Sequence, residues 1–156
     1  MNKPNILLIL CDQLRGDALG CAGNDIVKTP NIDRLAKSGT QFTQCMITQP
    51  TCTPSRASIL TGCYASTLRS RMVGCTTPDD PRFAPHVLSA ADYHTASIGK
   101  IHLVSQVLEP QTIEETEGDY FGFQHIDLVN GHGDNCFGPQ YTKMLREKMP
   151  NFADKK

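Results

Sequence analysis

The chain has 156 residues, enough for one domain with a real core, and 39% of them are hydrophobic, which excludes global disorder. Fifteen Lys and Arg stand against sixteen Asp and Glu, a formal net charge of −1, so no general electrostatic attraction draws it to nucleic acid or an anionic membrane. No run approaches the ~18 consecutive apolar residues of a membrane span, and the opening MNKPNILLILCDQ has too short an apolar stretch for a secretory signal, so the expected setting is cytoplasmic.

In chain order, NILLILCDQ (5–13) is a short, continuous apolar run bounded by polar residues, the pattern of a strand buried on both faces. Asp12 and Gln13 fall at its carboxyl end, the edge of an α/β sheet where ligands bind; a loop aspartate capping a neighbour is the plainer alternative. TPNIDRLAKSG (29–39) is a well-marked helix, with Thr29 as N-cap, Pro30 at the first helical position, Asp33 in the first turn, Lys37 near the end and Gly39 as stop. TQFTQCMIT (40–48) alternates and reads as a strand. PSRASILTG (54–62) predicts a second helix, with Thr53 as N-cap, Pro54 at N1 and Gly62 as terminator. TTPDDPRFAP (76–85) is a turn region, HVLSAADY (86–93) is weakly helical, and HTASIGKIHL (94–103) predicts a strand delivering Lys100 and His102 at its end.

Beyond residue 104 the pattern weakens. EPQTIEETEGD (109–119) is acidic and loop-like, FGFQHIDLV (121–129) predicts a strand, GHGDNCFG (131–138) a glycine-rich loop, and 139–156 a helix with a charged tail. The alternation of strands and helices predicts an α/β fold, a mostly parallel sheet flanked by helices.

Seven cysteines, at 11, 21, 45, 52, 63, 75 and 136, form no CxxC pair, which weakens zinc-ribbon and redox-motif readings. Most are expected to be small buried hydrophobes. Cys52 differs. In TCTPSR it lies just ahead of the predicted helix start, where free N–H groups and the helix dipole favour an anion and a thiolate. Arg56, one turn on, can point back toward it. A reactive thiol and a buried cysteine both remain open on these residues alone.

The stretch C-T-P-S-R-A-S-I-L-T-G (52–62) resembles the sulfatase signature C-x-P-S-R-x-x-x-L-x-T-G, with its C-x-P-S-R core intact and a one-residue difference in spacing, Leu60 standing directly before Thr61. Three further segments are similar to the family in the same order: NILLILCDQLRGD to its first strand with a metal-binding acid, TPNIDRLAKSGTQFTQ to the following helix and strand, and DYHTASIGKIHL to G-Y-x-T-x-x-x-G-K-x-H-L. Together they span 4–103, so 1–156 is expected to be the N-terminal part of a sulfatase catalytic domain with an alkaline-phosphatase-like fold, apparently truncated.

The resemblance implies that Cys52 is oxidised by a maturation enzyme to formylglycine, whose hydrated gem-diol attacks sulfur and whose second hydroxyl then expels the sulfate. Arg56 would hold the diol, and Lys100 and His102 would contact the substrate oxyanion or the leaving oxygen. Asp12, Gln13 and the modified Cys52 would ligate a divalent cation, Ca²⁺ first and Mn²⁺ as the other candidate. The implied partners are a small-molecule or glycan sulfate ester and the maturation enzyme, with neither nucleic acid nor membrane.

Two departures matter. Many family members carry Asp-Asp where this chain has Asp12-Gln13; the Asp-Gln form resembles a branch that also hydrolyses phosphonate monoesters and phosphodiesters. Family members also run to several hundred residues, with their second pair of metal ligands in a later segment. The nearest local look-alike is GHGDN (131–135), whose His132 and Asp134 are ligand types although Gly131 and Gly133 suffice for a turn. An inactive fragment lacking the later ligands is therefore a third reading, with an exposed sheet edge and self-association as its consequence.

Overall fold

In the computed structural model, which describes residues 3–104, 119–129 and 147–149, the helix announced by Thr29-Pro30 forms as α1, Pro30–Ser38. Pro30 occupies the first turn, where its missing N–H costs nothing, and Gly39 closes the helix by donating its N–H to the Leu35 carbonyl at 3.0 Å. The Thr29 hydroxyl does not cap the helix as expected. It accepts the Gly20 N–H at 2.8 Å and donates to Asp33 Oδ1 at 2.8 Å, and the same carboxylate oxygen accepts the Cys21 N–H at 2.8 Å. Asp33 thus ties α1 to two 3-10 turns, Gly16–Ala18 and Gly20–Ala22. A Cβ on residue 20 would stand 2.5 Å from Asp33 Oδ2, so this junction admits only glycine without rearrangement.

These elements belong to the first of two units, Met1–Met46; the second is Ile47–Lys156. Two strands expected around the first unit are absent among the described residues. Residues 5–11 form no strand, and Asp12 and Gln13 form a turn in which Gln13 has φ +56°. Leu7 is 83% exposed and Ile9 72%. A strand buried on both faces exists only where neighbours pair its backbone and layers cover its side chains, and no described strand pairs with this segment. Residues 40–48 likewise follow irregular backbone, with Phe42 and Met46 exposed, for the same reason.

In the second unit the helix α2 is Cys52–Thr61, starting two residues earlier than its turn chemistry suggested. Thr51 is the N-cap and Cys52 the first helical residue, which leaves Pro54 still inside the first turn. Gly62 ends the helix at φ +67°, its N–H bonded to the Ser58 carbonyl at 2.9 Å. Helix α3, Ala84–Ala90, also starts two residues early, with Pro85 in its first turn. Strands β1, Ala96–Gly99, and β2, His125–Leu128, pair in parallel, Ala96 opposite His125 and Gly99 opposite Leu128. A parallel pair needs a long crossover, and the sequence between Gly99 and His125 is long enough for one.

The core of this unit gathers Ala57 from α2, Phe83, Ile101, Leu103, Tyr120, Phe121, Ile126 and Leu128. Phe121 meets Phe83 edge-on at 5.1 Å and Tyr120 at 4.9 Å between ring centroids. Phe83 is steered inward by the turn before it. Arg82 clasps Asp80 through two hydrogen bonds of 2.7 Å, and the Phe83 N–H bonds the Asp80 carbonyl at 2.9 Å. The Arg82 hydrogen bonds hold the Asp80 carboxyl at about 2, well below the usual carboxylate range.

The six described cysteines correct the expectation of buried hydrophobes: Cys11, Cys45 and Cys75 are exposed, and Cys21, Cys52 and Cys63 are half-buried. Cys11, Cys45 and Cys75 lie outside helices and strands, where no apolar face is available to cover them. Among the described residues, no helix is long and apolar enough to cross a membrane.

Candidate active site

Cys52 opens α2 half-buried, and several residues that follow it are far more deeply set. Thr53 is fully buried, Pro54 nearly so, and Arg56 retains 7% exposure. The Thr51 side chain makes no cap bond, so the first N–H groups of α2 are not occupied by a capping oxygen. That leaves the helix start available to an anion, with Cys52 on its first turn and Arg56 a turn later. Sequence reasoning placed Cys52 just ahead of this helix; the structure puts it on it.

Arg56 reaches across the unit. Its Nη1 donates to the Lys100 carbonyl at 2.5 Å, joining two segments 44 residues apart. Lys100 is half-buried directly after β1, where Gly99 at φ +100° turns the chain out of the strand. Only glycine adopts that angle without strain. His102 is 3% exposed and has φ +54°, a left-handed backbone that is uncommon for a non-glycine residue and concentrates at functional sites. The structure therefore brings Cys52, Arg56 and Lys100 into one linked arrangement through α2 and the Arg56 bond, with His102 two residues beyond. Both basic residues follow β1, because the strand, Ala96–Gly99, is shorter than the expected 94–103 and ends before them.

Asp12 and Gln13 sit in the turn of the first unit. His132 and Asp134 lie outside the described residues. A hard dication takes six to eight oxygen ligands, and among the described residues no three His, Cys, Asp or Glu side chains gather where they could hold one. The described residues thus do not by themselves fit a complete cation site. What sequence reasoning missed is the support behind the basic pair: the Arg56 bond to Lys100 and a buried Ser70–Thr77 hydrogen bond of 2.9 Å. No local pattern could have found either, since each depends on residues brought together by folding.

Comparison with known proteins bears on the same residues. The sulfatase family model matches residues 4–152. An ulvan-active sulfatase of Formosa agariphila is 46% identical over 101 residues, 65% of this chain and 20% of the relative. An arylsulfatase of Clostridium perfringens is 38% identical over 133 residues, 83% of this chain and 25% of the relative. The crystal structure of a phosphonate monoester hydrolase of Agrobacterium radiobacter superposes with a TM-score of 0.72 at 29% identity, covering 99% of this chain and 30% of that one. The chain therefore spans about a fifth to a quarter of the length of these sulfatase relatives. Its parallel strands and flanking helices are those of the alkaline-phosphatase-like α/β fold. With the match running over nearly its whole length, the chain belongs to the sulfatase family.

Proposed function

We propose that this chain is the N-terminal, nucleophile-bearing part of a sulfuric ester hydrolase. The observation that carries the reading is the placement of C-T-P-S-R at the start of α2, with Arg56 bonded to the Lys100 carbonyl at 2.5 Å. Cys52, once converted to formylglycine, supplies the oxygen that attacks sulfur and a second hydroxyl that releases the product. The open helix start and Arg56 favour the negative charge that develops there. Lys100 holds an ester oxyanion, and His102 serves the leaving oxygen as a proton donor. A divalent cation, Ca²⁺ before Mn²⁺, belongs to the same reading, with Asp12 and Gln13 as the residues this chain offers it.

Phosphonate monoester or phosphodiester hydrolysis is the second reading. Two observations favour it: the likeness to the Agrobacterium radiobacter hydrolase, and Gln13 where a second acid would make the site more negative. Parallel assays of the converted protein on an aryl sulfate, an aryl phosphonate and a bis-aryl phosphate separate the two. Turnover of the sulfate first supports the proposal, preferential turnover of the phosphonate replaces it with the second reading, and no turnover of any ester leaves the chain as an inactive fragment.

Burial of the motif supports a reading in which maturation precedes folding. An enzyme reading the Cys, Pro and Arg of the motif cannot reach Pro54 or Arg56 in the folded chain, where both are buried. The maturation enzyme is therefore expected to convert denatured or nascent protein and to leave pre-folded protein a thiol. Intact mass reports this directly, since conversion removes about 18 Da by the thiol-to-aldehyde stoichiometry. Equal conversion of the folded protein would sink the idea.

Self-association belongs to the same proposal. The described sheet has only two strands, Ile98 on β1 is 80% exposed, and the segment Ile6 to Leu10 is apolar and open to solvent. Such edges and patches recruit other chains. Sedimentation velocity is expected to show dimers or larger species growing with concentration; a single monomer boundary throughout would count against it.

A further inference from the structure

The segment carrying Lys100 and His102 is held at both ends by bonds to its carbonyls. Arg56 holds the first through the Lys100 oxygen. The second is the Leu103 carbonyl, which accepts the Thr77 N–H at 2.7 Å. Thr77 is in turn fixed by its hydroxyl, which shares a 2.9 Å hydrogen bond with the Ser70 hydroxyl, and the Ser70 N–H bonds the Ala65 carbonyl at 3.0 Å. Ser70 and Thr77 are each 1% exposed and Leu103 is fully buried. His102 lies between the two held carbonyls at φ +54°. A left-handed non-glycine residue persists only where its surroundings over-determine it.

We propose that Ser70 and Thr77 are positioning residues for His102: their buried hydroxyl pair fixes the Thr77 backbone, which pins Leu103 and holds the histidine in the backbone conformation that aims its imidazole. The inference rests on the reading of His102 as a site residue given above. Two hydroxyls buried together away from water make a high-stakes pair, since removing one strands the other. Loss of the pair loosens Thr77, frees the Leu103 carbonyl, and lets residue 102 relax toward ordinary negative φ, swinging the side chain.

The test uses the full chain and NMR, so its outcome is independent of turnover. In Thr77→Val the side-chain volume is kept and the hydroxyl is lost. The His102 imidazole resonances are expected to move, and exchange of the residue 77 amide to quicken roughly tenfold, the ratio expected when a buried hydrogen-bonding partner is left unsatisfied. The Val129 amide, bonded to the Gly99 carbonyl at 3.0 Å, should keep its protection and so report that the fold is intact. Thr77→Ser, which keeps the hydroxyl, is expected to restore the His102 resonances, whereas a purely structural role would destabilise both variants without moving them. Met72→Ala, in the same loop but 59% exposed, serves as the control. If Thr77→Val does not fold, the Ser70→Ala/Thr77→Val double variant removes both hydroxyls, strands neither, and is read the same way. His102 resonances that stay at their wild-type positions in the folded variant lacking the pair, or that move equally in Thr77→Ser, overturn the proposal. Failure of all three esters in the assays above would instead remove the functional reading of His102 while leaving the NMR result standing.

Discussion

Replacing Cys52 with alanine is expected to abolish ester hydrolysis by the matured protein, leaving the rate at background. Loss of a covalent nucleophile that acts as one unit with its neighbours costs on the order of 10⁴-fold or more in kcat. The fold should not suffer. Cys52 is the first residue of α2 and half-buried, and alanine is the better helix former at the same position. The deeply buried residues of that helix, Thr53, Pro54 and Ala57, are untouched. A melt within about 1 kcal/mol of wild type, together with lost turnover, would place the defect in chemistry rather than folding. Undiminished turnover of any of the three esters by Cys52→Ala would remove the nucleophile reading altogether, because no other residue of the arrangement can take its place: Arg56 is cationic, and Lys100 and His102 are bases with no second hydroxyl to offer.

How far the site could be read from the chain depended on how local each feature is. The signature C-T-P-S-R and the helix stops at Gly39 and Gly62 are local; a proline in the first turn and a glycine at the end act within a few residues. Those elements formed where the residues placed them, to within about two positions. The apolar run at 5–13 is different, since a strand is a property of the strands beside it, and none of the described residues pairs with it. The same limit applies to the site. Lys100 and His102 could be recognised by motif, yet the Arg56 bond that holds their segment spans 44 residues, and the Thr77 bond to Leu103 joins a loop to the segment that follows β1. Asp33 shows the limit from the other side. Its place in the first turn of α1 suggested a dipole role, whereas the structure has it bridging the helix to the Cys21 N–H and the Thr29 hydroxyl.

Gly122→Ala is expected to have a large effect on stability in the second unit. FGFQHIDLV read as one strand, but the strand occupies only His125–Leu128, and Gly122 lies ahead of it at φ +83°. A Cβ there would sit 2.4 Å from the His86 nitrogen and 2.8 Å from the Pro85 carbonyl carbon, both of them backbone atoms of α3. Gly122→Ala therefore combines left-handed strain with a collision that no side-chain rotation relieves, and about 3 kcal/mol or more of destabilisation is expected in urea or thermal unfolding. Gly62 supplies the internal standard. It too has positive φ, +67°, but nothing lies within 4 Å of its added Cβ, so Gly62→Ala should cost only the strain, about 1 kcal/mol. Truncating the imidazole as well, in Gly122→Ala/His86→Ala, should restore little, since the closest atom is the His86 backbone nitrogen. Similar costs for the two glycine variants, or full rescue by His86→Ala, would show that α3 yields and that the contact is not rigid. The consequence reaches the site by a short route. The Gly122 carbonyl accepts the Thr95 hydroxyl at 2.6 Å, Thr95 leads into β1, and β1 ends at the glycine that turns Lys100 toward Arg56. Displacing residue 122 should therefore loosen the start of the same strand whose end presents the basic pair, so that hydrogen exchange in β1 quickens together with the loss of stability.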